Sequence, residues 1–385
     1  MDNSHQPRRS NVPIGPDHPA LAARIKLSNA LDLIDSDLSR AVDLFDVVEL
    51  EARGSFPFQN LQTFRPQLEK LADAAPNNLT VKLNLAEARH RSGDEAGARP
   101  LFIETIRDIR PTDSKKTTAT IDAADFRARC AGHQIWHSVD LGNSFVEGAR
   151  KTSRVLATEM MMMELPDLTD LSVLDIGSFG GWFAFEAERY GASRVVANDY
   201  YSWVIKFAEL QTFIREQRAK GLSYSQYDPP EHCKDLINLP GMTAFLTARD
   251  AISSKIEPKV GIFEEVASGF EPFDVVFYLG VLYHCKDPFR ALATVAECTK
   301  RLAIIETLGY CVPGRPDFYE WRFYGREKIN QDYTTWWAPT EEGLIDMLIA
   351  AGFSRVEIKY GWNCNFPFRT DSPQAIRIWA HAYKD

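Results

Sequence analysis

The sequence has 385 residues, more than one typical domain needs, so we expect one large domain with a smaller companion. Hydrophobic residues make up 45% and charged residues 25%. No run approaches the roughly 18 apolar residues that cross a bilayer. The formal charge of −9 gives an acidic average surface, which opposes the binding of a nucleic-acid polyanion. These values favour a soluble globular protein that binds neither a membrane nor nucleic acid.

The cysteines and the first residues indicate a cellular compartment. Six cysteines lie far apart with no C-x-x-C pair, so the sequence predicts neither a zinc ribbon nor a disulfide framework. Residues 1–20 are rich in Pro, Asn and Asp and lack the apolar stretch of a secretory signal. We therefore expect a disordered tail over residues 1–20 and a cytoplasmic protein. His, Asp and Glu show no spacing typical of a metal site, so we predict no metal.

Residues 21–112 are predicted to form an all-helical N-terminal domain. Apolar residues recur three and four positions apart through this region, and strand patterns are absent. The stretch Pro76–Phe102 resembles one tetratricopeptide-type helix pair, and a generic helical bundle packed on the next domain is the alternative. A polar linker at Arg110–Lys116 predicts the domain boundary, after which a second domain fills residues 113–385. Whether these helices form a homodimer or bind a protein partner stays open.

The second domain alternates strand and helix patterns. Seven segments have strand character, with helices between the first five. This alternation predicts an α/β fold with a Rossmann-like, mostly parallel seven-stranded sheet. The last two strands suit an antiparallel hairpin at one edge. In chain order the predicted strands are Ser172–Ile176, Arg194–Ala197, Val260–Phe263, Val275–Tyr278, Ala303–Glu306, Val356–Lys359 and Ile376–Ala382.

A glycine-rich turn between the first predicted strand and its helix is the strongest motif. Glycines let a ligand approach the backbone, and an acid closing the second strand can accept both hydroxyls of a ribose. The G-x-G-x-x-G spacing that seats a pyrophosphate in nicotinamide and flavin enzymes is absent. The alternative is a tight turn with Asp199 as a helix cap. The candidate cofactor residues here are Asp175, Gly177, Ser178, Phe179, Gly180, Gly181, Asp199 and Tyr200.

The pattern D-I-G-x-x-x-G at this turn resembles motif I of class I S-adenosylmethionine methyltransferases, whose cofactor carries no phosphate. The resemblance implies that Asp175 and the glycine turn line the methionine end of S-adenosylmethionine. It also implies that Asp199 holds the ribose. Glu265, after the third predicted strand, falls where the family places its adenine contacts.

A second motif, L-G-V-L-Y-H at Leu279–His284, leaves the fourth predicted strand at the sheet edge where open α/β sheets bind ligands. It resembles the methyltransferase family that includes the tRNA wobble-uridine carboxymethyltransferase, over about residues 135–385. That enzyme holds a carboxylated cofactor with a Lys and an Arg, where an approximate alignment gives Ala131 and Gln374 here. We therefore expect ordinary S-adenosylmethionine and plain methyl transfer.

Four side chains are candidates for catalysis on the acceptor side. His284 is the first choice for a general base because imidazole titrates near neutral pH; a loop-shaping hydrogen bond to a backbone carbonyl is the alternative. His137, paired with Asp140, could close over the same pocket, or that pair could only order its loop. Glu306 ends the fifth predicted strand and holds an acceptor group or caps the neighbouring helix. Tyr283 is implied by the family resemblance.

Two segments are predicted to cover the substrate: residues 221–241, which contain several prolines, and residues 309–338, which are strongly aromatic. The aromatic rings either form a wall for an acceptor or bury a long loop against the sheet. The leading hypothesis is methyl transfer to an O or N atom of a small molecule, in specialised metabolite biosynthesis. The alternatives are a tRNA-modifying methyltransferase, a cofactor-binding partner module without turnover, and a nicotinamide oxidoreductase.

Overall fold

The computed structural model describes nine stretches of the chain, which hold twelve complete α-helices (α1–α12) and eleven strands (β1–β11). The predicted tail over residues 1–20 lies outside the described residues, as do parts of both predicted lid segments. Among the described residues, no helix is both long enough and apolar enough to span a membrane. The described residues are 33–34, 36–38, 40–41, 61–114, 117–221, 229–311, 318–324, 334–360 and 374–384.

Helices precede the sheet, as the apolar spacing predicts. Asn78 and Asp94 begin the second and third of them, because each side chain accepts a hydrogen bond from a backbone N–H of the first turn. Leu83 and Phe102 belong to the same buried cluster as residues of the central sheet, so these helices share a core with it. The helices are α1 (Arg65–Ala74), α2 (Leu79–Arg91), α3 (Glu95–Ile109) and α4 (Ala123–Arg129).

The central sheet contains the seven predicted strands. They are β3 (Ser172–Ile176), β4 (Arg194–Asp199), β5 (Glu257–Val260), β6 (Phe273–Leu279), β7 (Thr299–Cys311), β10 (Arg355–Tyr360) and β11 (Gln374–Tyr383). Their order across the sheet is β10-β11-β7-β6-β3-β4-β5. The five strands from β3 to β7 pair in parallel, whereas β11 is antiparallel to both β7 and β10. The predicted α/β fold with an antiparallel edge hairpin is confirmed.

The third predicted strand is displaced along the chain. The sequence predicts it at Val260–Phe263, but β5 ends at Val260 and Phe263 begins a short helix. All four residues of β5 are exposed at the sheet edge, so no apolar pattern marks them. Pro258 lies within β5, where an edge position tolerates the missing N–H. The prediction follows the apolar residues and therefore misses this polar edge strand.

The remaining helices cover both faces of the sheet, and each face has its own buried cluster. Val173 and Val275 belong to one cluster, while their neighbours Leu174 and Val276 belong to the other, because side chains alternate along a strand. The helices are α5 (Ser153–Met163), α6 (Trp182–Arg189), α7 (Tyr201–Val204), α8 (Phe207–Ala219), α9 (Thr243–Ala251), α10 (Phe263–Val266), α11 (Pro288–Glu297) and α12 (Glu341–Ala350). Two small hairpins pair β1 (Val139–Asp140) with β2 (Phe145–Val146) and β8 (Trp321–Phe323) with β9 (Trp337–Pro339).

Candidate active site

The glycine-rich turn leaves β3 at the carboxyl edge of the sheet and leads into α6. Gly177 (φ 74°), Phe179 (φ 48°) and Gly181 (φ 81°) all have left-handed backbone conformations. A Cβ on Gly181 would lie 2.5 Å from the ring of Phe245, so neither the backbone angle nor the space accepts a side chain there. A left-handed non-glycine residue such as Phe179 is strained and is a feature of functional sites.

Asp199 holds the strained turn against the end of β4. Its Oδ2 accepts a hydrogen bond from Phe179 N at 2.9 Å, and its Oδ1 accepts one from Ser202 N at 2.9 Å. The bond to Ser202 is the helix-capping contact that the sequence offered as an alternative. Burial raises the pKa of Asp199. Each carboxylate oxygen has two lone pairs, so Asp199 keeps acceptor capacity for a further hydroxyl group.

Several buried polar atoms at or beside the turn lack a hydrogen-bond partner among the described residues. They include Asp175 Oδ2, Ser178 Oγ and His137 Nδ1. Burying a polar atom without a partner costs about 1–3 kcal/mol, so such atoms mark places where an external ligand can bind. Unpaired polar atoms next to an open glycine backbone fit the small polar end of a cofactor such as S-adenosylmethionine.

His137 lies directly over the turn. Its ring centre is 5.9 Å from that of Phe179 and 6.3 Å from that of Phe183. A Cβ on Gly180 would lie 3.0 Å from the Cβ of His137, so position 180 needs a glycine for the turn to fit beneath the His137 side chain. Burial lowers the pKa of His137 to about 3, with a small contribution from Lys151. The imidazole is therefore neutral at physiological pH.

Asp140 is not the partner of His137, so the predicted pairing is wrong. Its carboxylate accepts hydrogen bonds at 2.8 Å from Arg107 Nη2 and Arg110 Nη1. Burial alone would raise the pKa of Asp140, but these guanidinium groups hold it well below its ordinary value. The sequence could not show this because both arginines come from the end of the helical region, about 30 residues earlier.

Tyr283 and His284 lie in the 3-10 turn Leu282–His284 that follows β6. His284 Nδ1 is 3.1 Å from the carbonyl oxygen of Thr334 and 2.8 Å from its hydroxyl oxygen. A carbonyl oxygen only accepts, so the contact to Thr334 O is a hydrogen bond only in the tautomer with the proton on Nδ1, whereas the Thr334 hydroxyl can either donate to Nδ1 or accept from it. The loop-shaping bond that the sequence offered as an alternative to catalysis is thus present. In the tautomer that donates to this carbonyl, Nε2 is the ring nitrogen with the lone pair.

Glu306 does not cap a helix but pairs with Arg377 of β11, whose Nη1 lies 3.0 Å from Glu306 Oε1. The Arg377 guanidinium carbon is 5.0 Å from the ring centre of Tyr283. Burial opposes the charge of Arg377, but Glu306 and Tyr283 hold its pKa above its ordinary value. The approximate alignment gives Gln374 at the position of the family's arginine. Arg377, three residues later in β11, is an arginine that reaches Tyr283, which that alignment did not identify.

Two charged residues near Glu306 were missed by the sequence analysis. Lys151 Nζ pairs with Glu159 Oε1, and Glu159 Oε2 is buried without a partner among the described residues. Burial raises the pKa of Glu159; Glu306 adds to the rise, while Lys151 and Arg377 oppose it. Neither residue belongs to a motif, and a spacing of eight along the chain is not a helical contact. Only the folded sheet brings this pair beside Glu306.

Tyr200 and Glu265, the remaining predicted cofactor residues, follow β4 and β5 at the same sheet edge. Tyr200 contacts Tyr201, with ring centres 5.4 Å apart. Burial raises the pKa of Tyr201, and the nearby carboxylates of Glu264 and Glu265 add to it. The two predicted residues are therefore neighbours around Tyr201, a residue that the sequence did not single out.

Known proteins share this architecture. A family model described as a methyltransferase domain matches residues 148–364, which is more than half of the chain. No curated protein matches the chain. Among the described residues, no group of three or more His, Cys, Asp or Glu side chains could hold a metal ion.

Three solved structures are similar at low identity. The N-terminal domain of EvdMO1 with S-adenosylhomocysteine (SAH) bound is 14% identical, covers 56% of this chain and 75% of its own, and has a TM-score of 0.37. A putative S-adenosylmethionine-dependent methyltransferase from Listeria monocytogenes is 15% identical over 57% of this chain and 94% of its own, at 0.36. Magnesium protoporphyrin IX methyltransferase from Synechocystis PCC 6803 with bound SAH is 15% identical over 57% and 76%, at 0.32.

The family match spans the strained glycine turn, Asp199 and the loop that carries Tyr283 and His284. It therefore covers the glycine turn and the acceptor loop, whereas His137 and Arg377 lie outside the matched residues. The chain belongs to the methyltransferase-domain family and is a Rossmann-like, class I S-adenosylmethionine-dependent methyltransferase.

Proposed function

We propose that this protein methylates an oxygen or nitrogen atom of a small-molecule acceptor, in specialised metabolite biosynthesis in the cytoplasm. The observation that carries the proposal is the position of His284 in the turn after β6, where Nδ1 lies within hydrogen-bond distance of both oxygen atoms of Thr334. When Nδ1 carries the ring proton and donates it to Thr334 O, Nε2 is the basic nitrogen at the carboxyl edge of the sheet. An O or N acceptor must lose a proton when it is methylated, and Nε2 can take that proton.

The residues around the glycine turn are proposed to hold S-adenosylmethionine. Asp175 and the turn Gly177–Gly181 would hold its methionine end, Asp199 and Tyr200 its ribose, and Glu265 its adenine. When bound, the cofactor supplies a methyl group already activated by the sulfonium. The protein's own contribution is then to align the acceptor, exclude water and remove a proton.

The two histidines divide these tasks. His284 is proposed as the general base. His137, a predicted catalytic residue, is neutral and packed over the glycine turn. We propose that it contacts the cofactor end of the site and excludes water there. Tyr283 and Glu306 are proposed to position the acceptor, with Arg377 fixing both.

A tRNA-modifying methyltransferase is the second candidate. The L-G-V-L-Y-H motif at Leu279–His284 favours it, as does the arginine that reaches Tyr283. The net charge of −9 opposes it, because each bound phosphate needs a cationic partner. We further propose a division into a helical domain over residues 21–112 and a catalytic domain over residues 113–385. Under the third hypothesis, the helical domain would recruit a partner and no turnover would occur.

One labelling experiment distinguishes these functions. Methyl-labelled S-adenosylmethionine is incubated with the protein and either a small-molecule extract or bulk tRNA, and the label is followed in each fraction. We expect label in the small-molecule fraction. Label in tRNA would instead support the second candidate. Label in neither fraction, with cofactor binding intact by calorimetry, would support a binding module without turnover.

A further inference from the structure

A cluster of charged and polar side chains lies at the carboxyl edge beside the proposed base. We call it the polar cluster; its members are Lys151, Glu159, Tyr283, Glu306 and Arg377. We propose that the polar cluster binds the acceptor and that the acceptor carries a neutral polyhydroxylated ring, a sugar or cyclitol unit. This inference rests on the proposed function, since it names the substrate class of the same site.

Oxygen atoms of two members face one open space. A Cβ placed on Gly280 would lie 3.5 Å from Glu306 Oε2 and 3.6 Å from the hydroxyl oxygen of Tyr283. The missing side chain of Gly280 therefore leaves room between a carboxylate and a phenol. Arg377 bonds the other oxygen of Glu306 and lies over the Tyr283 ring, so both groups are held in place.

Solvent reaches the polar cluster although protein surrounds it. The Arg377 side chain is 44% exposed, whereas its partner Glu306 is only 4% exposed. Glu159 and Lys151 are 15% and 27% exposed. The exposed side chain of Arg377 beside the buried carboxylate of Glu306 is a place where a small ligand can displace water. One oxygen of Glu159 is buried there without a protein partner among the described residues.

The charges of the polar cluster select the class of ligand. Lys151 and Arg377 balance Glu159 and Glu306, so the formal charge is zero. A carboxylate ligand would add one excess negative charge to this balanced cluster and an ammonium ligand one excess positive charge, and excess charge in a largely buried place is costly. A hydroxyl group both donates and accepts, so neighbouring hydroxyls can donate to Glu159 or Glu306 and accept from Arg377. Mixed signs with zero net charge therefore favour a neutral polyol.

An aromatic surface adjoins the polar cluster. The ring centre of Phe323 is 6.4 Å from that of Trp336, with the planes 18° apart, and 4.9 Å from that of Trp337. Phe323 is 56% exposed. Trp336 N donates a hydrogen bond to Tyr283 O at 2.8 Å, which ties this surface to the acceptor loop. Exposed rings of this kind pack against the apolar C–H face of a sugar while its hydroxyls bind polar groups.

Saturation-transfer NMR on the full chain tests the substrate class. With the protein saturated with SAH, the neutral probes are methyl α-D-glucopyranoside, methyl α-L-rhamnopyranoside and myo-inositol. The comparison probes are catechol, benzoate and benzylamine. We expect saturation of at least one neutral polyol and of none of the comparison probes. Binding of the comparison probes alone, or of no probe, would overturn the inference while the proposed methyl transfer stands. Failure of the proposed function would appear instead as lost SAH binding or absent methyl label.

Two variants test the residues. Tyr283→Phe removes one hydroxyl group, and Glu306→Gln removes one charge, so each should weaken polyol binding by about tenfold. SAH affinity should stay within about twofold, because neither residue belongs to the glycine turn. Glu216→Gln, on the exposed face of α8, is the matched control and should bind the polyol like the unmodified protein. Unchanged polyol affinity in both Y283F and E306Q would show that the polar cluster is not the site.

Discussion

Asp175 is the side chain whose charge the cofactor would change most. Burial raises the pKa of its carboxyl to about 7, and the carboxylate of Asp199 adds to the rise. The ammonium and sulfonium groups of S-adenosylmethionine favour the ionised form, so binding releases the proton of any protonated Asp175. With a pKa about 7, the ionised fraction rises about tenfold between pH 6 and pH 8. We therefore expect the calorimetric Kd for S-adenosylmethionine to fall about tenfold over that interval.

Asp175→Asn provides the control for this pH dependence. An amide has no proton to release in this range, so the affinity of the variant should be nearly independent of pH. Isothermal titration in buffers of different ionisation enthalpy counts the released proton directly. A pH profile that is the same in the variant and the unmodified protein would show that another group is responsible.

His284 is expected to act in the chemical step and not in cofactor binding. His284→Ala removes the proposed base and should lower kcat about 100-fold or more, since general base catalysis contributes about 10²–10⁴. The Kd for S-adenosylmethionine should change by less than about twofold. His232→Ala, at an exposed position, is the matched control for substituting a histidine. A loss of cofactor affinity that equals the loss of kcat would assign His284 to binding.

At the residue scale, the sequence predicts contacts between residues that lie on adjacent elements of the chain. The glycine turn and Asp199 follow from spacing along two adjacent strands, and the structure brings them together through Phe179 N. The contact of Arg377 with Tyr283 is not predicted because it forms only through the pairing of β11 with β7. Lys151 and Glu159 are not predicted because a half-buried ion pair leaves no periodic signal in the sequence.

At the element scale, the strand-to-helix turn depends on the absence of a side chain at Gly181. Gly181 and Gly93 have the same φ of 81°, but a Cβ meets the Phe245 ring at 2.5 Å at Gly181 and nothing within 4 Å at Gly93. Gly93→Ala should cost about 1 kcal/mol for backbone strain alone. Gly181→Ala adds a steric clash and should cost about 1–3 kcal/mol more. Urea denaturation of both variants measures the difference.

Equal losses in these two alanine variants would show that backbone strain alone sets the cost. We also expect Gly181→Ala to weaken S-adenosylmethionine binding, because a displaced Phe245 moves the beginning of α6. Gly93→Ala lies in the helical region between α2 and α3 and should leave cofactor affinity unchanged.

The elements that the sequence predicts well are those buried on both sides. β3 has its predicted bounds, and β6 and β7 contain the predicted apolar runs Val275–Tyr278 and Ala303–Glu306 but extend beyond them on both sides. β5 is exposed and polar, so its predicted position is shifted. The antiparallel pairing of β10 with β11 at one edge is predicted, but the insertion of β11 between β7 and β10 and its register are not, since pairing partners are set by the whole sheet.

At the scale of the whole molecule, the helical region is bound to the catalytic sheet by buried charges. Arg110, just after α3, donates hydrogen bonds to Glu186 of α6 and to Asp140 of β1. Arg110 is 10% exposed, and both carboxylates are 1% exposed. Arg189 shares Glu186, with its Nη1 2.6 Å from the carboxylate. Because the apolar core is also continuous, helices and sheet should unfold together.

Arg110→Met tests whether helices and sheet form one cooperative unit. Removing Arg110 leaves Glu186 and Asp140 buried with one partner fewer each, which should lower the free energy of unfolding by about 3–5 kcal/mol. Arg194→Met removes an exposed partner of Glu257 and should cost less than about 1 kcal/mol. Calorimetry should show a single transition in the unmodified protein and in both variants, lowered most in R110M. A transition that splits in two, with the cofactor shifting only one part, would instead show that the helical region folds and unfolds separately from the catalytic sheet.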